Sequence, residues 1–102
     1  MKIDETILKR AIQIHGEDQQ CEMIIEECIE LALALQKLKR KRGDPEEKLK
    51  NVIDEIADVS VMIKQAQIIF DSEKIQERID YKMNRLEKRL DVYDNANFKN
   101  AK

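Results

Sequence analysis

Four acids at matched spacing stand out in this chain. Glu27 and Glu30 lie in the run IIEECIEL, and Glu55 and Asp58 lie in NVIDEIADVSVMI. Each pair is separated by three residues, which puts both members on one side of a helix. At about 100° per residue, the apolar arc of the first run centres on Ile24, Cys28, Leu31, Leu35 and Leu38. Glu27 falls inside the edge of that arc, and Glu30 lies one step further round. The second run centres on Val52, Ile56, Val59, Ile63 and Phe70. Glu55 falls between Met62 and Ala66, and Asp58 falls beside Ile69. The two runs therefore offer acids at the same angular offset from their cores.

The heights agree as well. Counting from a turn near Gly43–Asp44, Glu30 and Asp58 each lie roughly 20 Å away at about 1.5 Å per residue. Glu27 and Glu55 lie within about one turn of that level. An antiparallel hairpin would gather all four carboxylates beside an apolar core. There they repel one another and lose hydration unless cations compensate. Oxygen donors without Cys or His suit Mg²⁺, with Mn²⁺ as an alternative.

Two competing readings apply. In a chain with 39% charged residues, acids are commonly solvated or paired with nearby Lys and Arg. Four acids matched in angle and height weaken that reading. Di-iron bundles also use helical carboxylates, but they need Glu-x-x-His pairs. The one histidine, His15, stands outside any such spacing and reads as a helix-end residue.

The elements that must hold the acids are helices. Two Gly and one Pro, with abundant Glu, Lys, Leu, Ile and Ala, predict long ones. The first is expected from about Asp4 to Ile14, stopped by Gly16. The second runs from about Asp18 to Lys41 and ends in the basic turn LKRKRG, which suits a helix C-terminus. Asp44-Pro45-Glu46-Glu47 is a strong start signal for the third, which continues to about Phe70. A break at Asp71-Ser72 begins the fourth, expected to about Tyr93, with a frayed tail over residues 94–102. The expectation is one all-α domain over residues 1–93, a four-helix-bundle-like core.

Composition excludes several classes. The net charge of −2 shows no basic excess, which disfavours general nucleic-acid binding. Four aromatics without Trp argue against a single-strand stacking platform. The longest apolar run is five residues, Leu31 to Leu35, so no membrane span is expected. The N-terminus, MKIDETILKR, lacks a signal-like apolar stretch, and the expected location is cytoplasmic. Cys21 and Cys28 lie about 10 Å apart along one helix, too far for an intrachain disulfide, and lack zinc-site spacing.

The pattern Glu26-Glu27-x-x-Glu30, then 24 residues, then Glu55-x-x-Asp58 resembles the signature of the MazG-like all-α nucleoside triphosphate pyrophosphohydrolases. Gly16-Glu17-x-x-Gln20 ahead of IIEECIEL, and NVIDEIADVSVMI later, resemble the small single-domain phage and bacterial members. The resemblance covers roughly residues 7 to 90. It implies Mg²⁺-dependent hydrolysis of a nucleoside triphosphate to the monophosphate and pyrophosphate, with Glu27, Glu30, Glu55 and Asp58 as metal ligands. Glu26 matches the first acid of the motif but points about 100° from Glu27, an accessory position. Gln20, seven residues before Glu27 on the same face, becomes a substrate contact. Some family members stack the base on Trp, and this chain has none. No Gly-rich phosphate loop is present, so the metal would carry much of the phosphate binding. The alternative from a different class is a non-catalytic helical interaction module that retains the bundle.

On the fourth helix, Arg78, Lys82, Arg85 and Arg89 form a one-sided basic stripe that could meet the triphosphate. Lys82 lies closest to the apolar arc. The second helix also carries an extra apolar strip, Ile25, Ile29, Ala32 and Leu33. A helix apolar nearly all round is normally buried all round. The expected partner for that strip is a second copy of the chain, in a homodimer or homotetramer, as the resemblance also implies.

Overall fold

The computed structural model describes residues 2–100, and side-chain surroundings through residue 96. Ala101 and Lys102, the end of the expected tail, lie outside the described residues. Over the described residues the fold is all-helical, with four helices: α1 (Glu5–His15), α2 (Glu17–Lys39), α3 (Pro45–Phe70) and α4 (Ser72–Asn100). None is long and apolar enough to cross a membrane among the described residues.

Local chemistry explains each boundary. Asp4 caps α1 by accepting a hydrogen bond from the Thr6 amide at 2.9 Å. Gly16 both ends α1 and opens α2. Its N–H donates to the Ile12 carbonyl at 2.8 Å, and its carbonyl accepts from Gln20 N–H at 3.2 Å. With φ at 87°, this junction favours glycine on backbone grounds alone, since a Cβ there would meet nothing within 4 Å.

Helix α2 stops at Lys39, short of the expected Lys41, because Arg40 is already extended (φ −73°, ψ 143°). Lys48 Nζ, from α3, donates to the carbonyls of Arg40 and Arg42 and closes that end. Asp44 Oδ1 accepts from the Glu46 amide at 3.1 Å, as its sequence context predicts. At the next break, Asp71 adopts φ 92°, and its Oδ1 accepts from Lys74 N–H at 3.2 Å. Helix α4 runs to Asn100 instead of ending near Tyr93, since neither Gly nor Pro interrupts the sequence there.

The chain divides into two compact units, Met1–Phe70 and Asp71–Lys102. In the first, α2 and α3 pair along their length as a hairpin, and α1 packs against both. The packed faces match the expected ones in part, at Ile24, Leu31, Val52 and Val59. On α2 the more buried residues are Gln20, Cys21, Ile24, Glu27, Leu31 and Ala34, whereas Cys28, Leu35 and Leu38 are exposed. On α3 they include Val52, Glu55, Val59, Met62, Gln65, Ala66 and Ile69, whereas Ile56, Ile63 and Phe70 are exposed. Apolar residues occupy more than one face of each helix, so the average direction of hydrophobicity misses the direction of the partner. Glu27 and Glu55 consequently sit half-buried within the α2–α3 seam, whereas Glu30 and Asp58 are exposed.

The hairpin depends on a tight, capped turn. Replacing Asp44 by Ala should cost about 1 kcal/mol. Thermal unfolding followed by circular dichroism should then show a midpoint roughly 4–8 °C lower. An unchanged midpoint would show that Asp44 contributes nothing to the hairpin.

Candidate metal centre

Glu27 of α2 meets Glu55 and Asp58 of α3 across the seam, with one carboxylate oxygen from each within 4.8 Å of the others. Glu27 and Glu55 are half-buried and Asp58 is exposed. One oxygen of Glu27 and one of Glu55, both Oε2, are sealed from solvent without a hydrogen-bond partner. Among the described residues no Lys or Arg pairs with the cluster. The one ion pair among these residues, Lys64 Nζ to Glu5 Oε1 at 3.1 Å, lies elsewhere.

At this separation two full charges repel by roughly 3 kcal/mol at an effective dielectric of about 20, less at the exposed Asp58. Complete burial of one aliphatic side chain contributes about 1.5–3 kcal/mol. The Glu27–Glu55 pair, if both were charged, would thus offset about one well-buried core residue. The Glu27 carboxyl is accordingly held above its ordinary range, first by burial and then by the charges of Glu30, Asp58 and Glu55. A proton held on Glu27 is further favoured by a hydrogen bond to Glu55.

Glu30 stands outside the three-oxygen group and is exposed. It is near enough for its charge to raise the Glu27 pKa. With Leu33, Ala34, Lys37, Asn51 and Glu55 it lines a cleft of about 320 Å³ along the seam. Glu26 is exposed and belongs to no such cluster. A cleft of about 440 Å³ between the N-terminal segment and α3, lined in part by Ser60, Lys64 and Gln67, gathers no acids of this kind.

Gln20 is almost fully buried, and its amide nitrogen makes only a weak contact, 3.7 Å, to Met23 Sδ. Gln65 is completely buried, and neither of its amide atoms has a partner. Gln20 lies seven residues before Glu27, and Gln65 lies seven after Asp58. In an antiparallel pair both therefore lie about 10 Å from the acids, at one level of the seam.

The basic stripe belongs to the second unit. There Arg78 lies over the Tyr81 ring, 4.7 Å from its centroid, and Arg85 lies 5.8 Å from it. Arg85 and Arg89 line a groove on α4 with Tyr81, Asn84, Lys88 and Val92, and Lys82 is not part of it. His15 occupies the last turn of α1, and both cysteines are free. Sequence reasoning missed Lys37, Asn51 and Gln65. The available signal was register: Lys37 follows Glu30 by seven residues, Asn51 precedes Glu55 by four, and Gln65 mirrors Gln20.

The donor set fits a hard divalent cation. It consists of carboxylate oxygens alone, and Glu27 and Glu55 each also bury one oxygen without a partner. No family profile matches the chain, and no match was found among the curated proteins or the solved structures.

The raised pKa of Glu27 sets the pH response of the metal-free protein. Its folded-state value lies above the unfolded one, so a proton stabilises the fold, and that stability is lost as pH rises through the folded value. The melting midpoint should therefore rise as pH falls from neutrality toward the ordinary carboxylate range, before other acids titrate. Glu27→Gln should raise the midpoint near pH 7 and flatten this dependence. A midpoint in Glu27→Gln no higher than in the parent would show that Glu27 is not the strained group.

Proposed function

We propose that this chain is a MazG-like, Mg²⁺-dependent pyrophosphohydrolase that converts a nucleoside triphosphate to the monophosphate and pyrophosphate. The observation that carries the proposal is the convergence of Glu27, Glu55 and Asp58, with unpartnered oxygens, in the seam between α2 and α3. The spacing of these acids is the spacing that resembles that family.

Glu27, Glu55 and Asp58 would hold the cation, with Glu30 on the adjoining cleft wall completing the acid set. Mg²⁺ bound there would neutralise phosphate oxygens and acidify a water. The remaining work falls to the chain. A carboxylate of the cluster accepts the proton of the attacking water. A bond forms from the water oxygen to the α-phosphorus, the bridging α–β P–O bond breaks, and pyrophosphate leaves. The paired helices fix the acids to a rigid seam, which favours orientation of the reacting groups. A non-catalytic helical module gains nothing from orphaned carboxylates, so the enzyme reading is preferred.

The same reading includes self-association, as a homodimer or homotetramer with a four-helix core. Its support lies within Met1–Phe70, where Ile25, Ile29 and Leu33 are 53%, 55% and 48% exposed. Ile53 and Ile56 are 58% and 48% exposed. Contiguous apolar strips of this kind mark interfaces. The expected occupant is a second copy.

Pyrophosphate release from a panel of NTPs and dNTPs should require Mg²⁺ or Mn²⁺. Glu55→Gln and Asp58→Asn should each reduce turnover by at least about 100-fold, with helical content unchanged. Near-native turnover in either variant would remove that residue from the proposed machinery, and no turnover with any triphosphate would overturn the proposal. Light scattering should give a multiple of the 12.0 kDa chain mass, and Ile29→Glu should shift it downward. A monomeric parent at micromolar concentration would refute self-association.

A further inference from the structure

The cleft beside the acid cluster is chemically one-sided. Along α2 its wall reads Glu30, Leu33, Ala34 and Lys37, one face at helical spacing, opposite Asn51 and Glu55 of α3. Lys37 lies about 10 Å along the helix from Glu30. It also lines a second cleft, of about 300 Å³, with Arg40, Arg42, Gly43 and Lys48. The two clefts thus adjoin at Lys37, and together they run from the acids to the hairpin turn.

The cations in these clefts are not equivalent. Lys48 is committed to the carbonyls that close α2. Lys37 has neither an ion pair nor a hydrogen bond from its side chain among the described residues, and it is exposed. Beyond the acids in the opposite direction, the seam holds Gln20, Ile24, Met62, Gln65, Ala66 and Ile69, all uncharged. The cation at that end, Lys64, is paired with Glu5 at 3.1 Å, so an anionic tail leaving the acid cluster finds an uncommitted side-chain cation, Lys37, toward the hairpin.

We propose that Lys37, supported by the Asn51 amide, forms the subsite for the departing pyrophosphate. The triphosphate would lie along the seam with its β- and γ-phosphates pointing to the hairpin turn and its nucleoside pointing away. This inference rests on the pyrophosphohydrolase reading and adds to it a substrate polarity and a leaving-group contact. Lys37 Nζ supplies a compact positive charge with three donors, and Asn51 supplies an amide donor, both suited to terminal phosphate oxygens. As the α–β bond breaks, negative charge builds on the departing bridging oxygen. A cation at this end stabilises that charge more than it stabilises the intact substrate.

The test measures binding of inorganic pyrophosphate in Mg²⁺ by calorimetry, with full-length parent, Lys37→Gln, Lys37→Arg and Lys39→Gln proteins. Lys39 is exposed on the same helix end and lines neither cleft. Lys37→Gln should weaken pyrophosphate binding about tenfold. Lys37→Arg should restore most of that loss, and Lys39→Gln should leave affinity unchanged. For a hydrolysed triphosphate, Lys37→Gln should also lower kcat/KM, whereas a purely structural lysine would change only the melting midpoint. Equal affinity in Lys37→Gln and the parent, an equal loss in Lys39→Gln, or no pyrophosphate binding by the parent would each overturn the subsite. Turnover that persists without a Lys37 effect would defeat this inference and leave the hydrolase reading standing. Lys37-dependent pyrophosphate binding without turnover of any triphosphate would do the reverse.

Discussion

Like charges packed into an apolar seam are the constraint around which this chain is built. Glu27, Glu55 and Asp58 bring carboxylate oxygens within 4.8 Å of one another in the region where α2 and α3 must also make their packing contacts. The repulsion is comparable to what a buried aliphatic side chain contributes. It persists in the fold only because surrounding features hold the helices in one register. Gly16 sets the entry to α2, Asp44 and Pro45 set the entry to α3, and Lys48 ties the end of α2 to the start of α3. A one-residue slip in either helix would rotate its acids by about 100° and disperse the cluster.

That register also gives the seam a chemical direction. Uncharged amides occupy one end, where Gln65 is fully buried with both polar atoms unpartnered. Acids occupy the middle, and the hairpin end carries Lys37 and the basic turn. A single helix pair therefore displays polar neutral, anionic and cationic groups in sequence. Such a gradient suits a ligand whose own ends differ in charge. Orphaned polar groups are costly in a core and are commonly retained where function uses them.

The core that supports this arrangement is thin. Among the described residues, the buried apolar side chains are Leu8, Ala34 and Val52. Within Met1–Phe70, Ile25, Ile29, Leu33, Ile53, Ile56 and Ile63 remain substantially exposed. A three-helix unit of this size has few ways to offset three repelling carboxylates from its own packing. Ligation of a cation and burial of the open apolar strips against another copy address two separate deficits, one electrostatic and one hydrophobic. Both would stabilise the folded state by mass action.

The linear sequence determined whatever depends on a single helix. The four helices, the Asp44 cap, the Gly16 junction and the pairing of acids one turn apart follow from local propensities and the 3.6-residue period. The convergence of Glu27 with Glu55 and Asp58 was also legible, because both pairs lie at matching distances from one short turn. What the sequence left open was direction. Apolar residues on several faces of α2 and α3 spread the expected core over Ile24, Cys28, Leu31, Leu35 and Leu38 and over Val52, Ile56, Val59, Ile63 and Phe70, of which Ile24, Leu31, Val52 and Val59 are packed and the others exposed. The tertiary structure turned the packed faces so that they also take in Gln20, Glu27, Glu55 and Gln65. It separated Glu30 from the three-oxygen group and brought Lys37 and Asn51 onto the cleft wall. The azimuth at which two helices meet is set by side chains interlocking across the interface, and a period along either chain alone carries no information about its partner.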